Sequence, residues 1–328
     1  MNRKTSKNII CFGSLIMDIS IRCDKIPAMG ETVYTYEDYN VNPGGKGGNQ
    51  SVAAARSGGS VTLIGRIADD DYAHQLIHSF QKDHIDTSQL MVDTDSKTGV
   101  AFVWVDMEGH NKCVCSLGVN ARVTSQDVQS YAHLFTDRSI VMTTLEHSSQ
   151  LLDEISLMAR QNNCILIVDP SSKDYSKLTP EIAGRIDILK PNEVETEMLT
   201  GIRVETEEDA VQAIHVLKDK GIRMPVISLG SRGVIYEYKG KATSVKGLRV
   251  NAVDTTAAGD TFIGSMAAKL SQGYSFQESI DYANRAAAYC VSTGGRKSLF
   301  LLRKMYYNKT IYYFYKPKGE RAWIIGDI

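Results

Sequence analysis

The amino-acid sequence predicts an α/β protein of three layers, α/β/α, with a mostly parallel central sheet and a small β-sheet lid. Two observations carry this expectation. Short β-branched or apolar runs alternate with helical patterns along most of the chain, and two stretches interrupt the alternation with strands that have no helix between them. In order, Asn8 to Gly13 reads as a buried strand, Asn49 to Ser57 as an Ala-rich helix and Val61 to Ile67 as a strand. A helix near Ala73 to Asp83, a strand near Ser139 to Leu145, a helix over Leu151 to Gln161 and the strand Cys164 to Val168 follow. Ile186 to Leu189, a helix around Asp209 to Lys220 and the strand Val226 to Leu229 continue the rhythm. Repeated β-α-β order returns each strand to the same end of the sheet, so the strands are expected to be parallel.

The interruptions are Glu31 to Val41 and the alternating run Gly99 to Asp106, which turns at Glu108-Gly109 into Lys112 to Leu117. They predict antiparallel strands, within about 14–41 and 97–118, standing off the main body as a lid or a dimerisation surface. A hairpin, Gly233 to Tyr238 with Lys239-Gly240 at its turn and Ala242 to Val245 returning, departs from the alternation too. The length of 328 residues allows about two units of roughly 150. Without an internal repeat or a low-complexity linker, one domain over 8–295 with an inserted lid is the more economical reading.

Composition narrows the function. Hydrophobic residues at 43% and charged residues at 23% are those of a folded globular chain, and 37 Lys+Arg against 38 Asp+Glu leave a net charge of −1. That balance offers no field to hold a polyanion, so no nucleic-acid partner is expected. No apolar run approaches the roughly 18 to 20 residues of a membrane span, and the N-terminus lacks the apolar length of a signal peptide. Six cysteines, most of them in apolar strand-like runs, suit a reducing, cytoplasmic setting better than a disulfide scaffold. The last stretch differs. Residues 296–328 hold eight Lys/Arg against two Asp/Glu and eight aromatics, an atypical basic tail on an acidic body.

Four segments carry chemistry. Asn42-Pro43-Gly44-Gly45-Lys46-Gly47-Gly48-Asn49 precedes a run of small residues and resembles a loop feeding a helix N-terminus, where glycines let the backbone approach an oxygen-rich ligand. It lacks Walker A spacing, and a tight turn accounts for it equally well. Asp254-Thr255-Thr256-Ala257-Ala258-Gly259-Asp260-Thr261 opens an apolar helix over Ile263 to Leu270. There Asp260 can accept a proton from an alcohol attacking a phosphorus held over the first N–H groups; helix capping explains one such residue but not the whole run. In Lys190-Pro191-Asn192-Glu193-Val194-Glu195, Asn192 and Glu195 can hold the water shell of Mg²⁺, or form an ordinary capping box. Ser228-Leu229-Gly230-Ser231-Arg232-Gly233 ends a strand and can line a nucleotide, though by itself it is a turn.

In this order the four segments resemble the ribokinase family of sugar kinases, also called the PfkB family, over about Asn8 to Gly295. The G-G-K-G-x-N and D-T-T-A-A-G-D motifs are highly specific as a pair. The resemblance implies a ribokinase-like fold and ATP-dependent phosphorylation of a pentose, D-ribose to D-ribose 5-phosphate. It implies Asp260 as base and Ala257, Ala258 and Gly259 as the anion hole. Asp18, Gly44, Gly45, Lys46, Asn49 and Glu146, with Asp260, match sugar-contacting positions. Ser228, Gly230, Ser231 and Gly233 match the nucleotide loop, joined by Asn192, Gly259 and, near the purine, Asn284. Asn192 and Glu195 match a Mg²⁺-associated motif reached through water. Asp254, Thr256 and Gly295 match a K⁺ site. A homodimer clasped through the lid strands is also implied.

Two departures stand out. The family motif G-S-I-N-x-D places a sugar-contacting Asn where this chain has Ile16, a change that alters specificity or affinity. After Gly295 the family continues with a small-residue segment closing over the adenine, whereas Arg296-Lys297-Ser298-Leu299-Phe300 stands here. Two alternatives therefore stay open: a kinase of another furanose or nucleoside (fructose, deoxyribose, a ribonucleoside), or a sugar-binding homologue of weak activity.

Overall fold

The computed structural model describes residues 6–108, 110–172 and 174–292. Asn8–Phe12 (β1), the lid strands Ile16–Arg22 (β2) and Asn40–Gly44 (β3), and helix Lys46–Arg56 (α1) come first. Ser60–Ala68 (β4), Asp71–Lys82 (α2), Leu90–Asp93 (β5), Gly99–Val105 (β6) and Asn111–Ser116 (β7) follow. Next are Ser125–Ser130 (α3), Ile140–Thr144 (β8), Ser149–Gln161 (α4), Ile165–Asp169 (β9), Pro180–Ala183 (α5) and Ile188–Leu189 (β10). Glu193–Thr200 (α6), Glu207–Asp219 (α7), Met224–Ser228 (β11), Gly233–Tyr238 (β12), Lys241–Lys246 (β13), Ala258–Ser271 (α8) and Phe276–Ser292 (α9) complete the described chain.

The central sheet has the order β13-β12-β11-β10-β9-β8-β1-β4-β5. From β11 across to β5 every pairing is parallel, and at the other edge β12 runs antiparallel to both β11 and β13. Its inner strands are buried on both faces, as β8 (Ile-Val-Met-Thr-Thr, all buried) illustrates, because helices cover both sides of the sheet. Alternation along β1 divides the core: Ile9 and Cys11 join one cluster with Phe262 and Met266 of α8, while Ile10 and Phe12 join the other with Leu152 and Ile155 of α4.

One close approach positions the site. A Cβ on Gly264 of α8 would stand 2.3 Å from the carbonyl oxygen of Gln50 in α1, so the two helices touch backbone to backbone there. This brings their N-terminal turns together at the C-terminal ends of β1, β8 and β9, where ligands of open parallel sheets bind.

Three expectations are corrected. The first helix begins at Lys46 rather than Asn49, which places the lysine in its first turn. Glu31 to Val41 is not a strand: β3 starts only at Asn40, and its antiparallel ladder with β2 runs from Ser20–Asn40 to Ile16–Gly44. The lid sheet, ordered β3-β2-β6-β7, is mixed, since β2 and β6 pair in parallel while the outer pairs are antiparallel. Gly295 and the basic tail lie outside the described residues. Among the described residues no helix is long and apolar enough to cross a membrane.

Candidate active site

Asp260 sits in the first turn of α8 and is buried. Asn49 Nδ2 donates to its Oδ2 at 3.0 Å, and Gln50 Nε2 donates to its Oδ1 at 3.2 Å. The same Gln50 nitrogen reaches Asp169 Oδ2, at the end of β9, at 3.0 Å. Lys46 Nζ stands 3.5 Å from Asp169 Oδ2 and 3.9 Å from Asp260 Oδ1. Behind the lysine, Ser14 Oγ accepts from the Lys46 backbone N–H at 3.2 Å and donates to Glu146 Oε2 at 2.8 Å. Gly45 must be glycine here: with φ 80° it caps α1, and a Cβ would lie 2.4 Å from the Ser14 carbonyl oxygen.

The electrostatics separate the two aspartates. Burial pushes the Asp260 pKa up, and the charge of Asp169 acts the same way, against Lys46 and the two amides. Burial would raise Asp169 as well, but Lys46, Lys190 and the hydrogen bonds from Ser171 outweigh it and hold Asp169 low. Burial pushes Glu146 up. For Lys46, burial favours the neutral amine, yet Asp169, Asp260, Glu146 and Glu195 outweigh that effect and keep the ammonium. The cluster thus holds one fixed cation, one fixed anion in Asp169, and in Asp260 a carboxylate more basic than usual.

The entrance to α8 is strained. Ala257, its N-cap, is left-handed at φ 63°, a conformation non-glycine residues adopt at a cost of order 1–3 kcal/mol. It turns the chain into the positive end of a 14-residue helix, where the Ala258 N–H donates to Thr255 O at 3.3 Å and the N–H groups of Gly259 and Asp260 follow. Just upstream, Thr256 N–H donates to Asp254 Oδ1 at 2.8 Å.

Asn192 and Glu195 form a reciprocal capping box on α6: Glu195 N–H donates to Asn192 Oδ1 at 2.8 Å, and Asn192 N–H to Glu195 Oε2 at 2.9 Å. Glu195 Oε1 accepts from Ser171 Oγ at 3.0 Å, and the Ser171 N–H donates to Asp169 Oδ1 at 3.1 Å, so this pair is tied to the aspartate cluster. Among the described residues no group of three or more His, Cys, Asp or Glu could hold a metal ion. The pair's remaining lone pairs suit water-mediated contact, which matches the reluctance of Mg²⁺ to shed water.

Ser228 bridges to Asn192 and donates from its N–H to Pro191 O at 2.9 Å, which sets the loop of Gly230, Ser231 and Gly233 beside α6. Arg232 fastens that loop to Glu193 at 2.6 Å. Asn284 of α9 donates to Lys246 O, at the end of β13, at 2.9 Å. Asp18 is buried in the lid, opposite Asn42 of β3 and Ala101 of β6, and Gly44 ends β3 opposite Ile16.

Sequence reasoning missed Ser14, Gln50, Asp169 and Lys190. Asp169 had a signal, an acid followed by proline at the end of the apolar run Ile-Leu-Ile-Val, where parallel strands present functional groups. Gln50 and Lys190 adjoin recognised motifs but differ from them in burial, which only packing reveals.

A helix N-terminus entered through Ala257, a buried carboxylate of raised pKa and a small lid sheet are the parts an α/β phosphotransferase of the carbohydrate-kinase class needs. The chain matches the model of the pfkB family carbohydrate kinases over residues 6–300 and belongs to that family. It is 35% identical over 292 residues to the ribokinase of Haemophilus influenzae, covering 89% of this chain and 94% of that one. With the ribokinase of Staphylococcus aureus the identity is 30% over 302 residues, 92% and 99% of the two chains. The structure of Arabidopsis thaliana ribokinase complexed with ribose and ATP superposes with a TM-score of 0.79 at 25% identity, over 92% of this chain and 99% of that one. The fold is ribokinase-like, and the protein is an ATP-dependent carbohydrate kinase.

Proposed function

We propose that the protein phosphorylates D-ribose at its 5-hydroxyl with ATP, giving D-ribose 5-phosphate and ADP. The observation that carries this reading is Asp260, buried at the mouth of α8 with each carboxylate oxygen held by an amide of α1. Asp260 takes the proton of the sugar hydroxyl as its oxygen bonds to the γ-phosphorus; the bond from that phosphorus to the β-phosphate oxygen breaks, and ADP leaves with the electron pair. The N–H groups of Ala257, Ala258 and Gly259 face the charge that develops on the phosphoryl oxygens. Asp18, Gly44, Gly45, Lys46, Asn49 and Glu146 hold the sugar hydroxyls. The two similar ribokinases and the ribose- and ATP-bound structure support the substrate assignment.

For the nucleotide, Ser228, Gly230, Ser231 and Gly233 line the phosphates and ribose, and Asn284 the purine. Asn192 and Glu195 hold Mg²⁺ through water; when bound it neutralises charge on the ATP phosphates. Asp254 and Thr256 order the entrance to α8 and hold K⁺ there; Gly295, the third residue of that set, lies outside the described residues. The six free cysteines fit a reducing cytoplasm. Two copies pair through the lid, whose strand β7 is exposed along its whole length.

A second reading, a different furanose, is favoured by Ile16, which is buried beside Asp18 on one face of β2 where a polar residue would read a hydroxyl. The test is ADP release over a panel of ribose, deoxyribose, fructose and ribonucleosides, with K⁺ or Na⁺. Ribose-dependent turnover raised by K⁺ supports the proposal. Turnover with another sugar alone transfers it to the second reading, and binding without turnover contradicts both.

A further inference from the structure

Lys190 follows β10 at the C-terminal edge of the sheet and is only 4% exposed. Its ammonium makes no hydrogen bond, and no ion pair within 4.0 Å, with any described residue. The side chain is buried while its ammonium keeps a face open, and a partly desolvated ammonium favours an anion beside it. The charge of Lys190 acts on Asp169 and helps to keep that carboxylate ionised. A Cβ placed on Gly259 would stand 3.1 Å from Lys190 Nζ, so the ammonium lies against the first turn of α8.

Two positive features therefore face the same space: a buried cation, and the positive end of a helix entered through the strained Ala257. Asp260 presents its two oxygens to Asn49 and Gln50 on the α1 side. An anion with several acceptor oxygens completes both at once, and the co-substrate of this kinase supplies one.

We propose that Lys190 is a catalytic residue that binds the transferring γ-phosphoryl group of ATP, sharing it with the N–H groups of the first α8 turn. This rests on the reading that phosphoryl transfer takes place at the α8 entrance. The only proton that moves goes from the sugar hydroxyl to Asp260. Lys46 and Lys190 then flank Asp169, one toward the sugar and one toward the phosphate. A side chain at Gly259 would press on the ammonium, which stands 3.1 Å from the Cβ position.

The test compares ADP with a non-hydrolysable ATP analogue, by calorimetry, in the wild type and in Lys190→Met. The methionine keeps the stem and removes the charge. The proposal predicts ADP affinity within about twofold of wild type, analogue affinity lowered about tenfold or more, sugar KM unchanged, and kcat lowered about 10²–10³-fold. Equal losses for ADP and the analogue would show a structural role and overturn it, as would an unchanged kcat. If the wild type turned over no sugar while the ADP–analogue difference depended on Lys190, the function reading would fail and the contact would stand. Should Lys190→Met not fold, a structure of the wild type with the analogue and ribose reads the contact directly. Nζ within about 3.2 Å of a terminal phosphate oxygen supports the proposal, and Nζ bonded only elsewhere overturns it.

Discussion

Asp169 and Asp260 accept from the same nitrogen: Gln50 Nε2 lies 3.0 Å from one carboxylate and 3.2 Å from the other. Two acids this close cannot both ionise without a cation, and Lys46 stands within 4 Å of each. The arrangement holds Asp169 ionised and makes Asp260 the more basic of the two.

A base acts only when deprotonated, so activity is lost as pH falls through the Asp260 pKa, which is raised above its ordinary value of 3.8 by burial and by Asp169. Gln50→Leu removes a hydrogen bond that favours the ionised form, so the acid limb of the kcat–pH profile moves to higher pH. Asp169→Asn removes the repelling charge, so the limb moves to lower pH and kcat falls with the weaker base. Limbs that shift in the same direction, or not at all, would contradict this coupling.

Ile16 and Asp18 are two apart on β2 and share its buried face. Ile16→Asn places an amide where a sugar hydroxyl can meet it, and steady-state kinetics should show the ribose KM lowered by roughly fivefold. Without sugar the buried amide is unsatisfied, at a cost of about 1–3 kcal/mol, so the apoprotein Tm falls and ribose restores it. An unchanged ribose KM would remove Ile16 from the specificity argument.

The Gly-rich loop is held by a backbone crossing. A Cβ on Gly47 would stand 2.5 Å from the carbonyl carbon of Gly13, an atom that cannot move aside. Gly47→Ala is expected to destabilise by about 1–3 kcal/mol in urea unfolding. Gly65→Ala, where nothing lies within 4 Å, serves as the control near zero.

Much of this architecture was legible because it is local. The run Asn8 to Phe12, the hairpin at Lys239-Gly240 and the small-residue entrance to α8 each announce themselves within about ten residues. The lid was harder. Val33, Tyr34, Thr35 and Tyr36 have strand propensity, yet Tyr34 and Tyr36 are exposed because no neighbouring strand reaches them. Long-range placement was hardest: Asn49 and Asp260 stood out by motif, but Gln50, Asp169 and Lys190 gain their meaning only from the contact between α1 and α8 and the ends of β9 and β10.

The lid carries its own test. Val114 on β7 and Phe102 on β6 pair in register and are both exposed, 60% and 43%. Light scattering should give the mass of two chains, and Val114→Glu that of one. A monomeric wild type would contradict pairing through the lid.

The central claim is that Asp260 is the base of a pentose kinase. The most direct measurement is ribose-dependent ADP release by the wild type and by Asp260→Asn, with ribose binding followed by calorimetry. The account predicts turnover by the wild type, a fall of about 10²–10⁴-fold in kcat for the variant, and ribose binding that persists. An undiminished kcat in Asp260→Asn would contradict it.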